Sequence, residues 1–205
     1  MPGKVKVSRK QIIDIGRKLC RLGLVSGRAG NLSARLDKNN LLITATGCVL
    51  GDLKYSDILQ VSLTKRKEVK TKPVSSEFPL HSLIYQNSAT KVVIHCHPPL
   101  TNAYFSVYPS IKPLTLETKF YLGEIPVVKQ KTPTVTRPKA VISALKKTKL
   151  VVLKNHGVVS VGENFDVALS LIEALEAAVK VVVVARLLQQ KIPDPLNKQL
   201  KKYLT

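Results

Sequence analysis

The chain has 205 residues, 44% apolar and 22% charged, which suits one globular domain with its own core and excludes a disordered or collagen-like chain. Its 33 Lys and Arg against 13 Asp and Glu give a formal charge of +20, a surplus suited to anionic partners, yet only 5% aromatics and no Trp leave little for stacking nucleic-acid bases. Cys20, Cys48 and Cys96 form neither a disulfide framework nor a zinc ribbon, so a reducing cytoplasm is the expected setting.

The opening residues MPGKVKVSRKQIIDIG carry no continuous apolar run, and no secretory signal is expected. Ser8 caps a predicted amphipathic helix with Ile12, Ile13, Ile15, Leu19, Cys20 and Leu22 on its apolar face, closed by the turn SGRAGN. The runs NLSARL and NLLITAT read as a hairpin across DKNN, and ILQVSL as a further strand before the basic loop TKRKEVKTKP. A helix is expected to begin near Ser75 or Ser76, with Pro79 accommodated in its first turn. KVVIHCH is a buried strand. GEIPVV leads into the loop KTPTVTRPK, a helix is expected over 138–148, and KLVVLKNHG is another buried strand ending in a turn.

Asn164 then caps a long helix that Pro193 and Pro195 terminate. Its apolar stretch from Val167 to Gln189 contains Glu173, Glu176, Lys180 and Arg186, too many charges for a membrane span. The predicted architecture is a single domain of the α/β or α+β class over residues 1–205, with a mainly antiparallel central sheet flanked by helices.

The chain has four histidines. His95 and His97 stand two apart on a predicted strand, so both imidazoles share a face while Cys96 points into the core. The strand ends at Pro98, where a ligand can reach that face. His156 closes a second apolar strand, beside a glycine expected to let the backbone turn sharply. The H-x-H pair alone reads more readily as unrelated strand-end histidines. A third at another strand end, in a chain so poor in histidine, tips the reading toward a site for Zn²⁺ or a similar divalent ion.

Glu77 falls at a predicted helix start, four residues before His81. A carboxylate there is favoured by the helix dipole, and equally it can serve a nearby metal as ligand or general base. Three clusters offer N–H and hydroxyl donors to an anion: GRAGNLS at 27–33, TATG at 44–47, and Ser75 with Ser76. None matches a P-loop or dinucleotide fingerprint, and each taken singly reads as a turn or cap.

Together GRAGNLSAR, LLITATG, SSEFPLH, VVIHCHPP, GEIPVV and the NHG turn before a long helix resemble the class II aldolase/adducin family in order and spacing, over nearly the whole chain. The match is most like its archaeal-type L-fuculose-1-phosphate aldolases. The resemblance implies a three-layer α/β/α fold, a homotetramer with active sites between subunits, and one Zn²⁺ per subunit held by His95, His97 and His156. Glu77 falls on the acid/base glutamate, which also ligates zinc when no substrate is bound. Asn31, Thr46, Gly47, Ser75 and Ser76 fall on phosphate-binding positions. Gly27-Arg28-Ala29 stands where the family often has small hydroxyl residues, and Arg28 is assigned to the phosphate as well, against the alternative of a solvated charge.

The implied reaction is reversible cleavage of a ketose 1-phosphate, such as L-fuculose 1-phosphate, to dihydroxyacetone phosphate and an aldehyde. Tyr203, in the tail KKYLT, is the candidate aldehyde-side acid, against the alternative that it packs a terminal helix. Lys119 stands where the family's epimerases carry an aspartate, which argues against epimerase chemistry. Glu117 is out of that register and is left as a substrate contact or a surface charge. Methylthioribulose-1-phosphate dehydratases share the histidines and the glutamate and remain an alternative. In a different class, a nucleic-acid-binding or adducin-like scaffold protein would use the basic surplus. The clusters Lys65-Arg66-Lys67, Lys146-Lys147 and Lys201-Lys202 are scattered, however, and lack interleaved aromatics, so no specific nucleic acid is expected.

Overall fold

The computed structural model describes residues 8–63 and 73–188, apart from 131, 133 and 136. Tyr203, the basic clusters at 65–67 and 201–202, and the terminating prolines Pro193 and Pro195 lie outside them.

Helix α1 (Arg9–Arg21) starts as expected, with a reciprocal cap in which Ser8 Oγ accepts from the Gln11 amide and the Gln11 side chain accepts from the Ser8 amide. Ile12, Ile13, Ile15, Gly16 and Leu19 are buried, whereas Leu22, expected on the apolar face, is 44% exposed because the helix ends at Arg21 and the chain turns away. Strands β1 (Asn31–Arg35), β2 (Asn40–Thr44) and β3 (Ile58–Ser62) form an antiparallel meander. Helix α2 (Phe78–Asn87) leads to β4 (Val92–Cys96), which pairs antiparallel with β1.

The remaining elements are α3 (Pro99–Val107), α4 (Leu116–Leu122), β5 (Val127–Lys129), α5 (Pro138–Leu145), β6 (Leu150–Lys154), β7 (Gly157–Gly162) and α6 (Phe165–Leu187). The seven strands run in the order β3-β2-β1-β4-β7-β6-β5, antiparallel throughout except for the parallel β5–β6 pair. α5 is shorter than the 138–148 span expected of it. No distinct sequence signal marks α3, α4 or β7: β7 merges with the NHG turn, and α3 opens on two prolines.

Period-two alternation divides the core into two layers. Leu32, Ala34, Leu42, Val92, Ile94, Cys96, Val152 and Val158 pack on one face beneath α1, α3, α4 and α6. Leu41, Ile43, Val93, Val151, Leu153, Val159 and Val161 face α2 and α5. The fold is therefore the expected three-layer α/β/α sandwich. Among the described residues no helix is long and apolar enough to cross a membrane.

Candidate metal and anion site

His95 and His97 stand at the C-terminal end of β4, on the α2 face, and His156 occupies the two-residue turn between β6 and β7. Because β7 pairs with β4, that turn folds back over the end of β4. The three rings pack edge to face with centroids 4.7 to 5.0 Å apart. One nitrogen of each lies within 4.8 Å of the others.

His95 is 1% exposed and its Nδ1–H donates to the Val158 carbonyl at 2.9 Å, so the Nε2 lone pair faces His97 Nε2 at 3.0 Å. That separation approaches the edge of about 3.3 Å in a tetrahedron with Zn–N bonds of 2.0–2.1 Å. Burial holds the imidazoles neutral, as metal ligands must be. His97 is lowered to about 4 by desolvation and then by His156, His156 is lowered by desolvation, and His95 lies well below its ordinary value through burial and its two neighbours. His156 Nδ1 is buried without a partner. Three converging neutral imidazoles with an outer hydrogen bond fixing one tautomer fit a divalent metal.

The expected turning role of Gly157 is corrected. The left-handed residue of the turn is Asn155, at φ 62°. Gly157 is required instead by close approach, since a Cβ there would lie 2.4 Å from the Cys96 carbonyl oxygen and 2.8 Å from His97 Cδ2. A further set of contacts, invisible in sequence, holds the turn. Asn102 Nδ2 donates to the His156 carbonyl at 3.2 Å. The N-terminus of its helix α3 is in turn held by the Glu176 carboxylate of α6, which accepts from the Leu100 and Thr101 amides and the Thr101 hydroxyl.

Glu77 stands at a helix start as expected, as the N-cap of α2, but the helix begins two to three residues later than the sequence suggests. α2 begins at Phe78, so Ser75, Ser76 and Glu77 precede the helix in a turn where Glu77 N donates to Ser75 Oγ and Phe78 N to the Ser75 carbonyl. The Glu77 side chain is 5% exposed. Its Oε1 accepts from the Val135 amide at 3.0 Å, while Oε2 is buried with no partner. Desolvation raises its pKa, and the Val135 hydrogen bond opposes the rise. His81 does not join it. That ring turns under the sheet to bond Asn31 and Ser33, fully buried, with its pKa lowered to about 3 by desolvation.

One cavity of about 160 Å³ is lined by Arg28, Asn31, Thr46, Gly47, Ser75, Ser76, Glu77 and the three histidines. The sheet brings them together. Asn31 lies directly opposite His95 in the β1–β4 register, and the bridge between Ala45 and Val74 sets the Thr46–Gly47 turn beside Ser75. Arg28 Nη1 would be 4.0 Å from a Cβ at Gly47, so its guanidinium hangs over that turn. Glu117 falls in α4 and its side chain is outside the described set.

The family profile described as Class II Aldolase and Adducin N-terminal domain matches residues 10–183. A 3-oxo-tetronate 4-phosphate decarboxylase of Pectobacterium atrosepticum is 32% identical, over 86% of this chain and 84% of its own. An L-fuculose phosphate aldolase of Methanocaldococcus jannaschii is 31% identical, over 90% of this chain and 100% of its own. The crystal structure of L-fuculose-1-phosphate aldolase from Thermus thermophilus is similar with a TM-score of 0.80 and 30% identity, covering 90% of this chain and 96% of that one.

Proposed function

We propose, from the premise that this chain belongs to the class II aldolase/adducin family as one of its metal-dependent lyases, that it reversibly cleaves a ketose 1-phosphate such as L-fuculose 1-phosphate into dihydroxyacetone phosphate and lactaldehyde. The observation that carries the reading is the unpartnered, buried Glu77 Oε2 in the cavity that also holds three convergent imidazoles and a bank of anion donors.

His95, His97 and His156 hold the ion, Zn²⁺ in this reading, with Glu77 as a further ligand when no substrate is bound. When bound, the metal supplies Lewis-acid stabilisation of the charge that builds on the enediolate as the C3–C4 bond breaks. The amide of Asn31, the hydroxyls of Thr46, Ser75 and Ser76, and the backbone at Gly47 bind the phosphate, with Arg28 adding its charge from the rim. Glu77, its pKa raised by burial, carries the proton that returns to the enediolate carbon through Oε2, and removes it in the synthetic direction. Tyr203 is assigned the aldehyde-side proton. The exposed apolar side chains Phe120, Tyr121, Val181, Val184 and Leu187 support the homotetramer as the working form. Three cysteines with no disulfide among them suit the cytoplasm.

A second reading is favoured by the decarboxylase relative. Loss of CO₂ from a 3-oxo-tetronate 4-phosphate leaves the same dihydroxyacetone phosphate enediolate, so the phosphate donors, the metal ligands and Glu77 would serve unchanged. Only the aldehyde-side acid would be superfluous. The test is dihydroxyacetone phosphate release by the zinc-loaded protein from each substrate, with lactaldehyde and CO₂ measured alongside. Chelator-sensitive release from L-fuculose 1-phosphate with equimolar lactaldehyde is expected. Release only from the oxo-tetronate, with CO₂, would replace the aldolase by the decarboxylase.

A further inference from the structure

Beneath the anion-binding end of the cavity runs a buried polar chain that the reaction above does not use. Asn31 is 8% exposed, Ser33 and His81 are 0% exposed, and Tyr85 is 2% exposed. His81 Nε2 lies 2.6 Å from Asn31 Oδ1, His81 Nδ1 lies 2.6 Å from Ser33 Oγ, and Ser33 Oγ lies 2.8 Å from the Tyr85 hydroxyl. The residues come from β1 and α2, 48 to 52 positions apart across the Ser33 contacts and 50 apart between Asn31 and His81.

A chain of this kind has one proton per link, and its direction decides which end of the Asn31 amide faces the cavity. In one direction Tyr85 O–H donates to Ser33, Ser33 O–H donates to His81 Nδ1, and His81 Nε2–H donates to Asn31 Oδ1. Every hydroxyl and ring N–H donor in the chain is then used, and both Asn31 Nδ2 hydrogens are left to face the cavity. In the other direction Asn31 Nδ2 donates to His81, His81 Nδ1–H to Ser33 and Ser33 O–H to Tyr85, which strands the phenol proton. The other groups acting on the phenol are the Val93 backbone amide, which donates, and the cationic Arg35, 4.9 Å from the ring centre. Neither accepts a proton. A buried hydroxyl without an acceptor forfeits the hydrogen bond it makes to water in the unfolded chain, and the reversed chain would also turn a carbonyl oxygen toward the anion. Both effects select the first direction.

We infer that His81 is a positioning residue for the anion site: with Ser33 and Tyr85 behind it, it locks the Asn31 amide with Nδ2 toward the cavity, so that the site meets a phosphate with a donor already oriented. The inference rests on the phosphate-binding reading of Asn31. An unlocked asparagine can turn either end to the ligand and must be ordered on binding, at a cost in affinity that falls on the phosphorylated ligand and not on the chemical step.

The test is a double-mutant cycle on the zinc-loaded protein, with inorganic phosphate as the probe and KM and kcat measured on the phosphorylated substrate. His81→Phe is expected to weaken phosphate about 5- to 10-fold and to raise KM by a similar factor with kcat nearly kept. In an Asn31→Ala background the same substitution is expected to change phosphate binding less than about 2-fold, since the amide it orients is gone. If Asn31→Ala alone leaves phosphate binding intact, the anion-site reading fails and the positioning role fails with it. If Asn31→Ala weakens phosphate but His81→Phe costs the same in both backgrounds, the anion site stands and the positioning role is overturned. Nitrogen NMR of the wild-type protein reads the same point without any variant: protonation at His81 Nε2 is expected, and a proton on Nδ1 would reverse the chain and overturn the inference.

Discussion

Gly157→Ala tests how tightly the metal triad is held by backbone packing. The added carbon would lie 2.4 Å from the Cys96 carbonyl oxygen, 2.8 Å from His97 Cδ2 and 3.2 Å from His95 Cε1, and separating it from the oxygen to 3.0 Å requires about 0.6 Å of movement. The obstacle is strand backbone on one side and two ligand rings on the other, so no flexible side chain can absorb the shift. Metal sites tolerate departures of about 0.2 Å in ligand distance, well below the displacement the methyl group forces. Overpacking of this kind costs about 1–3 kcal/mol of stability. Because the shift separates the β6–β7 turn from β4, His156 leaves the other two imidazoles, and zinc affinity is expected to fall at least about 10-fold. Chelator competition gives the affinity and a thermal melt of the metal-free protein gives the stability. A Gly157→Ala variant with wild-type zinc affinity and an unchanged melt would refute the close-packing account of this glycine.

The other expectations concern single side chains. His156→Ala should lose metal and activity together, by more than the roughly 10- to 100-fold that changes outside the ligand shell cost; tight zinc retained in that variant removes it from the ligand set. Glu77→Gln should keep the metal, since the three candidate imidazole ligands remain, and lose about 10²- to 10⁴-fold in turnover, and near-normal kcat would take Glu77 out of the proton transfer. The metal-free protein should lose stability on acidification through His81. Its pKa falls from 6.5 to about 3 on folding, so the unfolded chain binds the extra proton, and stability is full above about pH 6.5 and drains as pH drops toward 3. Denaturant titrations at pH 7 and pH 4 should therefore differ by roughly 3 kcal/mol less in His81→Gln than in wild type, and an equal difference in both would refute the assignment.

The period-two spacing of His95 and His97, the strand-ending His156, the Ser8 and Asn164 caps and the alternating apolar runs were legible in the sequence, because each depends on neighbours only a few positions away. Those local rules fix which way a side chain points from its own strand, and with the family resemblance they sufficed for the three-layer fold. Tertiary structure decided the rest. Glu77 and Val135 meet across 58 positions, and Asn102 reaches the His156 carbonyl across 54. The reason for Gly157 is likewise the backbone of another strand and not its own conformation. His81 shows the difference most plainly. Its spacing four residues after Glu77 puts the two on one helix face, but the pairing of β1 with β4 brings Asn31 and Ser33 under α2, and burial turns the ring toward them. A buried imidazole must satisfy both nitrogens, and which partners satisfy them is set by sheet order, which no periodicity in a single chain encodes.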